Sequence, residues 1–195
     1  MKIICGLGNP GPEYLLTRHN AGFIFVDLLL DFISRQTSAN LSYTSKWQGE
    51  YAKFSYKSQD IILHKPMTYM NLSGNSLLQV KNFFKVDNKN IIVVHDDVDL
   101  AMGSVKFKLG GGHGGHNGLK SVDSMIGNNY KRLRIGVGKQ GNTADYVLSK
   151  FKSDELDTLE SAYRHIIDCL DLLLDDDINK FSNKIAFCGK KICSG

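Results

Sequence analysis

Two apolar runs, each followed at once by polar or turn-forming residues, constrain the fold of this chain more than any other feature. Residues 3–7 (IICGL) and 90–95 (NIIVVH) have the character of strands that are buried on both faces of a parallel sheet. Helical patterns lie between and after them, and strands that alternate with helices favour a mostly parallel or mixed sheet. We therefore predict an α/β fold, with a single domain over residues 1–195 and a twisted, largely parallel sheet covered by helices on both faces.

The remaining elements are predicted from the spacing of apolar residues. Apolar side chains three or four positions apart predict two helices, one beginning near Asn20 and one after Pro66; their core positions are Phe23, Val26, Leu30 and Ile33 in the first and Leu77, Val80 and Phe84 in the second. Further strands are predicted over residues 51–56, 61–64, 105–109 and 133–137, and a helix over 154–174. Residues 35–46 are loosely patterned, and the tail after Asp175 is polar and weakly patterned.

The bulk properties of the chain favour a cytoplasmic protein. Its 195 residues suffice for one domain with a sizeable core, and no apolar run approaches the roughly 20 residues that span a bilayer. The N-terminal MKIICGLGNPG lacks the apolar length and cleavage site of a signal peptide. The four cysteines (5, 169, 188 and 193) fit neither a zinc pattern nor a dense disulfide framework, so we expect Cys5 to be a reduced core thiol.

The charge of the chain permits a nucleic-acid partner without requiring one. The 24 Lys and Arg residues exceed the 20 Asp and Glu residues by four, which is only mildly basic. Lys106 and Lys108 share one face of a predicted strand, and Arg132 and Arg134 share one face of another. If these strands are neighbours, they form a basic patch that would hold phosphates. The alternative is a solvated charged face.

The first strand ends in a polar turn that carries two candidate site residues. The segment GLGNPGPEYLLTRHNAG (6–22) places Asn9 and His19 around the strand exit. Its three glycines suggest a dinucleotide-binding turn, but Asn9, Pro10 and Pro12 interrupt it and no Gly-x-Gly-x-x-Gly is completed, which disfavours a nicotinamide enzyme. A lone histidine is more often structural than catalytic, so His19 requires an acidic partner to act as a base.

The second apolar strand ends in VVHDDVDL (93–100), which supplies that acidic partner. Its aspartates at 96, 97 and 99 fit either a Mg²⁺ site or a solvated turn, and we favour the latter for Asp99. Ligands of open α/β sheets bind beyond the carboxyl ends of the strands, and Asp96 directly follows this strand. A carboxylate that binds an imidazole fixes its tautomer, so Asp96 is the predicted partner of a histidine base.

The run LGGGHGGHNGLKS (109–121) is the most unusual segment of the chain. Three interpretations remain open: a phosphate-binding loop at a helix N-terminus, a metal site through His113 and His116, or a mobile binding loop. No Gly-Lys-Ser/Thr follows, so it is not a P-loop, and the absence of Cys or Glu at ligand spacing disfavours the metal site. Asn117 is a candidate helix cap.

The segment KPMTYMNLSGNS (65–76) leaves a similar choice. Asn71 or Ser73 would cap the following helix, and Tyr69 would belong to the core. The functional alternative is an exposed Tyr69 beside Asn71, an arrangement suited to stacking on a base or ribose.

These segments together resemble a known family. GLGNPGPEYLLTRHNAG, KPMTYMNLSG, VVHDDVDL and KFKLGGGHGGHNGLKS, in that order, are similar to motifs of the bacterial-type peptidyl-tRNA hydrolases, as are RLRIGVG (132–138) and DYVLSKF (145–151). The resemblance covers about residues 1–175. It implies an enzyme that cleaves the ester between a peptide and the 3′ ribose of tRNA, with the acceptor arm and CCA end of peptidyl-tRNA as its partner.

The resemblance also implies a role for each matching residue. His19 matches the general base, Asp96 the carboxylate that keeps it basic and oriented, and Asn9 a residue that helps distinguish N-blocked peptidyl-tRNA from free aminoacyl-tRNA. The implied substrate-binding residues are Asn71 and Asn117 for substrate and water, Tyr14 and Tyr69 for the tRNA 3′ end, and Lys106, Lys108 and Arg134 for the phosphates.

An ester has a good leaving group, so one base and a few amide donors should suffice for its hydrolysis. We therefore expect no metal and no cofactor, and we expect a monomer without an obligate protein partner or membrane association. Two alternatives stay open: an RNA-binding module without catalysis, and a metal-dependent hydrolase that uses His113, His116 and the aspartates.

Overall fold

A seven-stranded mixed sheet forms the centre of the molecule. The computed structural model describes the backbone of residues 1–192 and the side chains of residues 1–186. In chain order the strands are β1 (Lys2–Gly6), β2 (Thr44–Lys46), β3 (Gly49–Tyr56), β4 (Gln59–Pro66), β5 (Ile91–Asp97), β6 (Val105–Leu109) and β7 (Lys131–Gly136). Across the sheet the order is β2-β3-β4-β1-β5-β7-β6. The four strands β4, β1, β5 and β7 are parallel, and β2, β3 and β6 pair antiparallel with their neighbours.

Helices cover both faces of this sheet, which confirms the predicted α/β fold. They are α1 (Ala21–Thr37), α2 (Ser73–Phe84), α3 (Asn117–Ile126), α4 (Thr143–Leu148), α5 (Ser153–Asp168), α6 (Leu170–Leu174) and α7 (Ile178–Ile192). One core lies between the sheet and α1, α5, α6 and α7, and a second lies between the opposite face and α2 and α3. Ile4 points into the first core and Ile3 and Cys5 into the second, so β1 is buried on both faces as its continuous apolar run predicts.

The start of α1 packs unusually close to β1 and β5. A Cβ atom added at Gly22 would lie 2.4 Å from both Leu7 N and Val94 O, so only glycine allows this approach. The contact holds the residues before α1, 18–20, at the carboxyl ends of the central strands. The fold thereby brings the polar turn after β1 to the exit of β5.

One prediction about the C-terminal part was wrong, and one weakly patterned segment forms a helix. The predicted helix over residues 154–174 is divided, because Cys169 adopts a non-helical backbone (φ −105°, ψ 16°) between α5 and α6. The tail after Asp175 forms α7, and its Phe181 is buried with its ring centroid 5.3 Å from that of Phe107 on β6. Ile178, Phe181 and Ile185, spaced three or four positions apart, form the face of this helix that packs against the core.

The thiol of Cys5 lies in the core as predicted, and burial raises its pKa. Cys188 and Cys193 lie outside the residues whose side chains are described. Within the described residues, no helix is both long and apolar enough to cross a membrane.

Candidate active site

The polar residues predicted at two strand exits meet at one edge of the sheet. β1 and β5 are adjacent and parallel, with Gly6 opposite Val94, so the turn after β1 and the end of β5 lie side by side. Asn9, His19 and Asp96 are all buried there. This is the carboxyl edge at which open α/β sheets bind their ligands.

His19 and Asp96 form a hydrogen-bonded pair. His19 lies in a 3₁₀ turn, Arg18–Asn20, that leads directly into α1. Its Nδ1 is 2.9 Å from Asp96 Oδ1, and Asp96 is 2% exposed. Because a carboxylate only accepts, Nδ1 carries the proton and the lone pair is on Nε2. This arrangement prepares Nε2 to accept a proton from a ligand.

A second histidine shares the same carboxylate oxygen. His116 Nε2 also lies 2.9 Å from Asp96 Oδ1, and the His19 and His116 rings are 4.8 Å apart between centroids. The other nitrogen, His116 Nδ1, accepts hydrogen bonds from the backbone N–H groups of Gly118 (3.1 Å) and Leu119 (3.3 Å). His116 is therefore the N-cap of α3, a role for which Asn117 was the sequence-based candidate.

Burial and hydrogen bonding set the charge states of this cluster. Burial lowers the pKa of His19, but the charge and hydrogen bond of Asp96 outweigh burial and raise it above its ordinary value. Burial would raise the pKa of Asp96, but its interactions with His19 and His116 hold that pKa well below the usual range. Burial, reinforced by His116, lowers the pKa of the adjacent His95 to about 3. Asp96 is thus a fixed anion, and His95 is neutral.

Two asparagines shape the turn beside this pair. Asn9 Oδ1 accepts a hydrogen bond from Met70 N (2.7 Å), and Asn9 lines a separate pocket after β1 together with Asn20. Asn20 Oδ1 accepts from Asn9 N (2.7 Å), and Asn20 Nδ2 donates to Asn9 O (3.0 Å). Sequence reasoning missed Asn20, although its position next to His19 was a signal that could have identified it.

A cavity of about 340 Å³ opens in front of His19 and Asp96. Its walls come from the end of β5, the Gly-rich run before α3, the face of β6 and β7, and the first turns of α4; among its lining residues are Val98, Lys108, Asn117, Leu119, Arg134, Ala144 and Val147. Asn117, a predicted substrate-binding residue, therefore lies in the wall of this cavity. The volume and the mixed lining suit a small organic group.

Three other predicted binding residues do not line this cavity. Asn71 and Tyr69 are exposed, Tyr69 at 59%, and Tyr14 is half-buried. The prediction that Tyr69 is exposed beside Asn71 therefore agrees with the structure, whereas the alternative that Tyr69 belongs to the core does not.

The two strands that carry the basic residues, β6 and β7, are neighbours, which is the condition for the predicted basic patch. Their cations differ in burial and in ion pairing. β6 and β7 pair so that Lys106 faces Arg134 and Lys108 faces Arg132. Arg132 is fully buried and ion-paired with Asp123 (2.9 Å), so its assignment to an exposed basic face was wrong. The reason is that Asp123 of α3 covers that end of β7.

The remaining cations of this patch divide between two surfaces. Arg134 donates to Asp97 Oδ2 (2.6 Å) and, with Lys108, lines the cavity. Desolvation together with Arg134 and Arg132 lowers the pKa of Lys108. Lys106 instead faces a separate groove between β6 and α5. Lys108 is therefore the cation of this set that faces the cavity without an ion-pair partner among the described residues.

The histidines of the Gly-rich run do not form the metal site that their spacing suggested. Among the described residues, the one group of metal-ligating atoms close enough together comprises His19, Asp96 and His116. His113 is exposed, and its Nδ1 accepts from Gly115 N. His116 Nδ1 is occupied by α3, so a metal on Nε2 would require an imidazolate. The donor set fits a hydrogen-bonded His–Asp pair better than a metal centre.

An α/β domain with a buried carboxylate, a histidine hydrogen-bonded to it and a cavity in front of both has side chains suited to general acid–base chemistry. Comparison with known proteins defines the family. The sequence model described as peptidyl-tRNA hydrolase matches residues 3–193. The chain therefore belongs to the peptidyl-tRNA hydrolase family, which confirms the resemblance found in the sequence motifs, and it is an enzyme of the hydrolase class.

Individual relatives agree over nearly the whole chain. A peptidyl-tRNA hydrolase of Rickettsia felis is 47% identical over 188 residues, which cover 95% of this chain and 100% of the relative. A peptidyl-tRNA hydrolase of Campylobacter concisus is 47% identical over 184 residues, covering 94% and 95%. The crystal structure of peptidyl-tRNA hydrolase from Acinetobacter baumannii superposes with a TM-score of 0.86 at 37% identity, covering 95% of this chain and 94% of that one.

Proposed function

We propose that this protein hydrolyses the ester bond between a peptide and the 3′ ribose of tRNA, with His19 as the general base. The observation that carries the proposal is the buried Nδ1–H···Oδ1 bond from His19 to Asp96, which leaves Nε2 as a proton acceptor at a cavity. Family membership supplies the substrate class. We infer that the enzyme acts in the cytoplasm on the acceptor arm and CCA end of peptidyl-tRNA, as a monomer without an obligate protein partner.

The reaction requires one proton to be moved twice. His19 Nε2 takes a proton from water while the water oxygen attacks the ester carbonyl carbon. The bond from that carbon to the ribose 3′ oxygen then breaks, and the imidazolium returns the proton to the leaving oxygen. The products are free tRNA and a peptide carboxylate, with the remaining proton released to solvent.

Asp96 acts through His19 in this mechanism. The carboxylate holds the Nδ1–H tautomer and stabilises the imidazolium that forms during attack. The Asn9 Nδ2 amide, held by the bond from Met70 N to Oδ1, contacts the substrate at the turn after β1. An amide that is already oriented costs little reorganisation when charge develops on the ester oxygen.

The substrate contacts follow the predicted set. Asn117 in the cavity wall and the exposed Asn71 bind substrate and water, and Tyr14 and Tyr69 contact the tRNA 3′ end. A further set of cations, Lys106, Lys108 and Arg134, binds phosphates. No metal is required in this scheme, because an ester has a good leaving group and the base is already positioned.

Replacing His19 tests the proposal. We expect His19→Ala to lower the turnover of N-acetyl-phenylalanyl-tRNA by about 10²–10⁴-fold, the usual contribution of a positioned base. Binding of tRNA should persist, because His19 makes no phosphate contact in this scheme. His165→Ala is the matched control, since His165 is a half-buried histidine on α5 that faces another groove.

Three results would contradict the proposal. Wild-type turnover that survives His19→Ala would exclude His19 as the base. Binding of tRNA without any hydrolysis by the wild type would leave only the RNA-binding alternative. Loss of activity in excess chelator, with recovery on adding a divalent metal, would indicate the metal-dependent alternative.

A further inference from the structure

One residue next to the base makes more polar contacts than any role in the proposed chemistry explains. Arg18 is 3% exposed, although it is the first residue of the turn that carries His19. Its Nη2 donates to both carboxylate oxygens of Glu155 at the start of α5, at 2.8 and 2.6 Å. One nitrogen of the guanidinium thus binds the carboxylate, which leaves Nη1 for other acceptors.

The same guanidinium also binds the chain between α4 and α5. Nη1 donates to Ser149 Oγ (2.8 Å) and to Lys150 O (2.7 Å). The backbone N–H of Arg18 donates to Ser149 O (3.1 Å). The guanidinium carbon lies 4.2 Å from the centre of the Tyr146 ring. Arg18 thus fixes the end of α4, a helix whose Ala144 and Val147 form one wall of the cavity.

Three successive side chains of one turn therefore hold three different parts of the molecule. Arg18 binds the α4–α5 connection, His19 binds Asp96 at the end of β5, and Asn20 binds Asn9 after β1. Three residues have little freedom to shift when each is held by charged or buried hydrogen bonds. The orientation of His19 consequently depends on the anchors on either side of it.

We propose that the Arg18–Glu155 ion pair is a positioning device that fixes His19 against Asp96 and sets the distance from His19 to the α4 wall of the cavity. Arg18 touches no reacting atom in this assignment and acts only through its neighbours. The assignment rests on the proposed function for its effect on turnover, but its effect on the geometry of His19 is independent of the substrate.

Two conservative variants test the device. Arg18→Lys keeps the charge but loses the planar guanidinium whose two terminal nitrogens bind Glu155 and the α4–α5 connection, and Glu155→Gln keeps the shape and one acceptor but loses the charge. With N-acetyl-phenylalanyl-tRNA we expect each to lower kcat by about 10- to 100-fold, the scale of a small misplacement of a catalytic group, and to leave KM within about threefold. The kcat of the double variant should be no lower than that of the less active single variant, because both substitutions remove the same Arg18–Glu155 interaction.

A second readout needs no turnover. In NMR titrations the pKa of the His19 imidazole should fall in both variants, since a His19 that moves away from Asp96 loses the interactions that raise its pKa. Lys2→Gln is the control: Lys2 is a buried lysine ion-paired with Asp176 at the opposite end of the sheet. It should lower stability while leaving kcat per folded molecule and the pKa of His19 unchanged.

The outcomes separate this proposal from the proposed function. Folded variants with wild-type kcat and a wild-type pKa of His19 would overturn the positioning role. A wild type without hydrolytic activity would overturn the proposed function, while the His19 titration would still decide the positioning role. If Arg18→Lys fails to fold, Glu155→Gln decides alone through the His19 titration, and urea unfolding reports its separate effect on the cap that Glu155 forms with Lys152 N (2.7 Å).

Discussion

Replacing Asp96 by Asn removes the negative charge beside His19 and changes almost nothing else. Asp96 Oδ1 accepts from both His19 Nδ1 and His116 Nε2 at 2.9 Å, and an amide oxygen in the same place can accept both. The tautomer of His19 is then kept, so the variant isolates the stabilisation of the imidazolium by a carboxylate. Asp60→Asn, at the start of β4 where Asp60 accepts from Ser55 Oγ, is the control.

The expected loss follows from the distance between the charges. Two unit charges about 4 Å apart interact by about 4 kcal/mol at an effective dielectric constant of 20. Since about 1.4 kcal/mol corresponds to tenfold in rate, loss of this interaction in the transition state lowers kcat by about 10²–10³-fold. Because Asp96 touches His19 and not the substrate in the proposed mechanism, KM should change little.

The pH dependence gives an independent check. In the wild type the pKa of His19 is raised above 6.5. As the pH is lowered, kcat/KM should therefore drop to half of its plateau while the pH is still above 6.5, because the base becomes protonated. In Asp96→Asn, burial still lowers the pKa of His19 but the opposing carboxylate is absent. The acid limb of the variant should therefore shift to lower pH, while its plateau falls.

The free energy of unfolding should also depend on pH through the His19–Asp96 interaction. A His19 whose folded pKa is raised stabilises the native state fully below pH 6.5, and this contribution is lost as pH rises through the folded pKa. Asp96→Asn removes it, so the difference in unfolding free energy between wild type and variant should grow from pH 8 to pH 5.5. The reasoning is refuted if the variant keeps kcat within about threefold and its acid limb does not move.

Two further substitutions test the fold and the basic surface. Gly22→Ala should lower the free energy of unfolding, measured in urea, by about 1–3 kcal/mol or more, because the added methyl group meets Leu7 N and Val94 O at 2.4 Å. Gly112→Ala is the control: Gly112 has open space around it, so the free energy of unfolding should change by less than about 0.5 kcal/mol. Lys108→Gln should weaken tRNA binding and reduce the slope of log Kd against log salt by about 0.7–0.9. Lys57→Gln is the control, because Lys57 is ion-paired with Asp171 at an exposed site. A slope for Lys108→Gln that equals that of the control would exclude a phosphate contact at Lys108.

The sequence predicted the sheet and one edge of the site because both depend on local patterns. Continuous apolar runs mark strands buried on both faces, and the rule for parallel strands then places Asn9 and Asp96 at the same edge. The hydrogen bond between His19 and Asp96 joins residues 77 positions apart, so no spacing rule predicts it. It arises because β1 and β5 are adjacent and because Gly22 lets α1 start against both.

The errors occur where a distant partner reverses a local preference. Alternation predicts an exposed Arg132, but Asp123 on α3 covers it and makes the guanidinium fully buried. The tail after Asp175 is only weakly patterned in sequence, but Phe181 packs against Phe107 of the sheet and α7 forms. Nothing in the sequence around Arg18 indicates its burial, because its partner Glu155 lies 137 positions away. A charged residue is buried only with its partner, and one sequence does not reveal that partner.

Two imidazoles share one carboxylate oxygen, and their second nitrogens determine which of them can act as a base. His116 Nδ1 accepts from Gly118 N and Leu119 N at the start of α3, so its lone pair is occupied and a proton there would break the cap. His19 has no such engagement of Nε2 among the described residues, and it lines the cavity. Asp96 raises the pKa of His19, whereas the backbone N–H groups at the start of α3 occupy Nδ1 of His116. The N-terminus of a helix thus makes two chemically similar residues unequal, and we infer that His19 is the base and His116 the group that holds Asp96 in place.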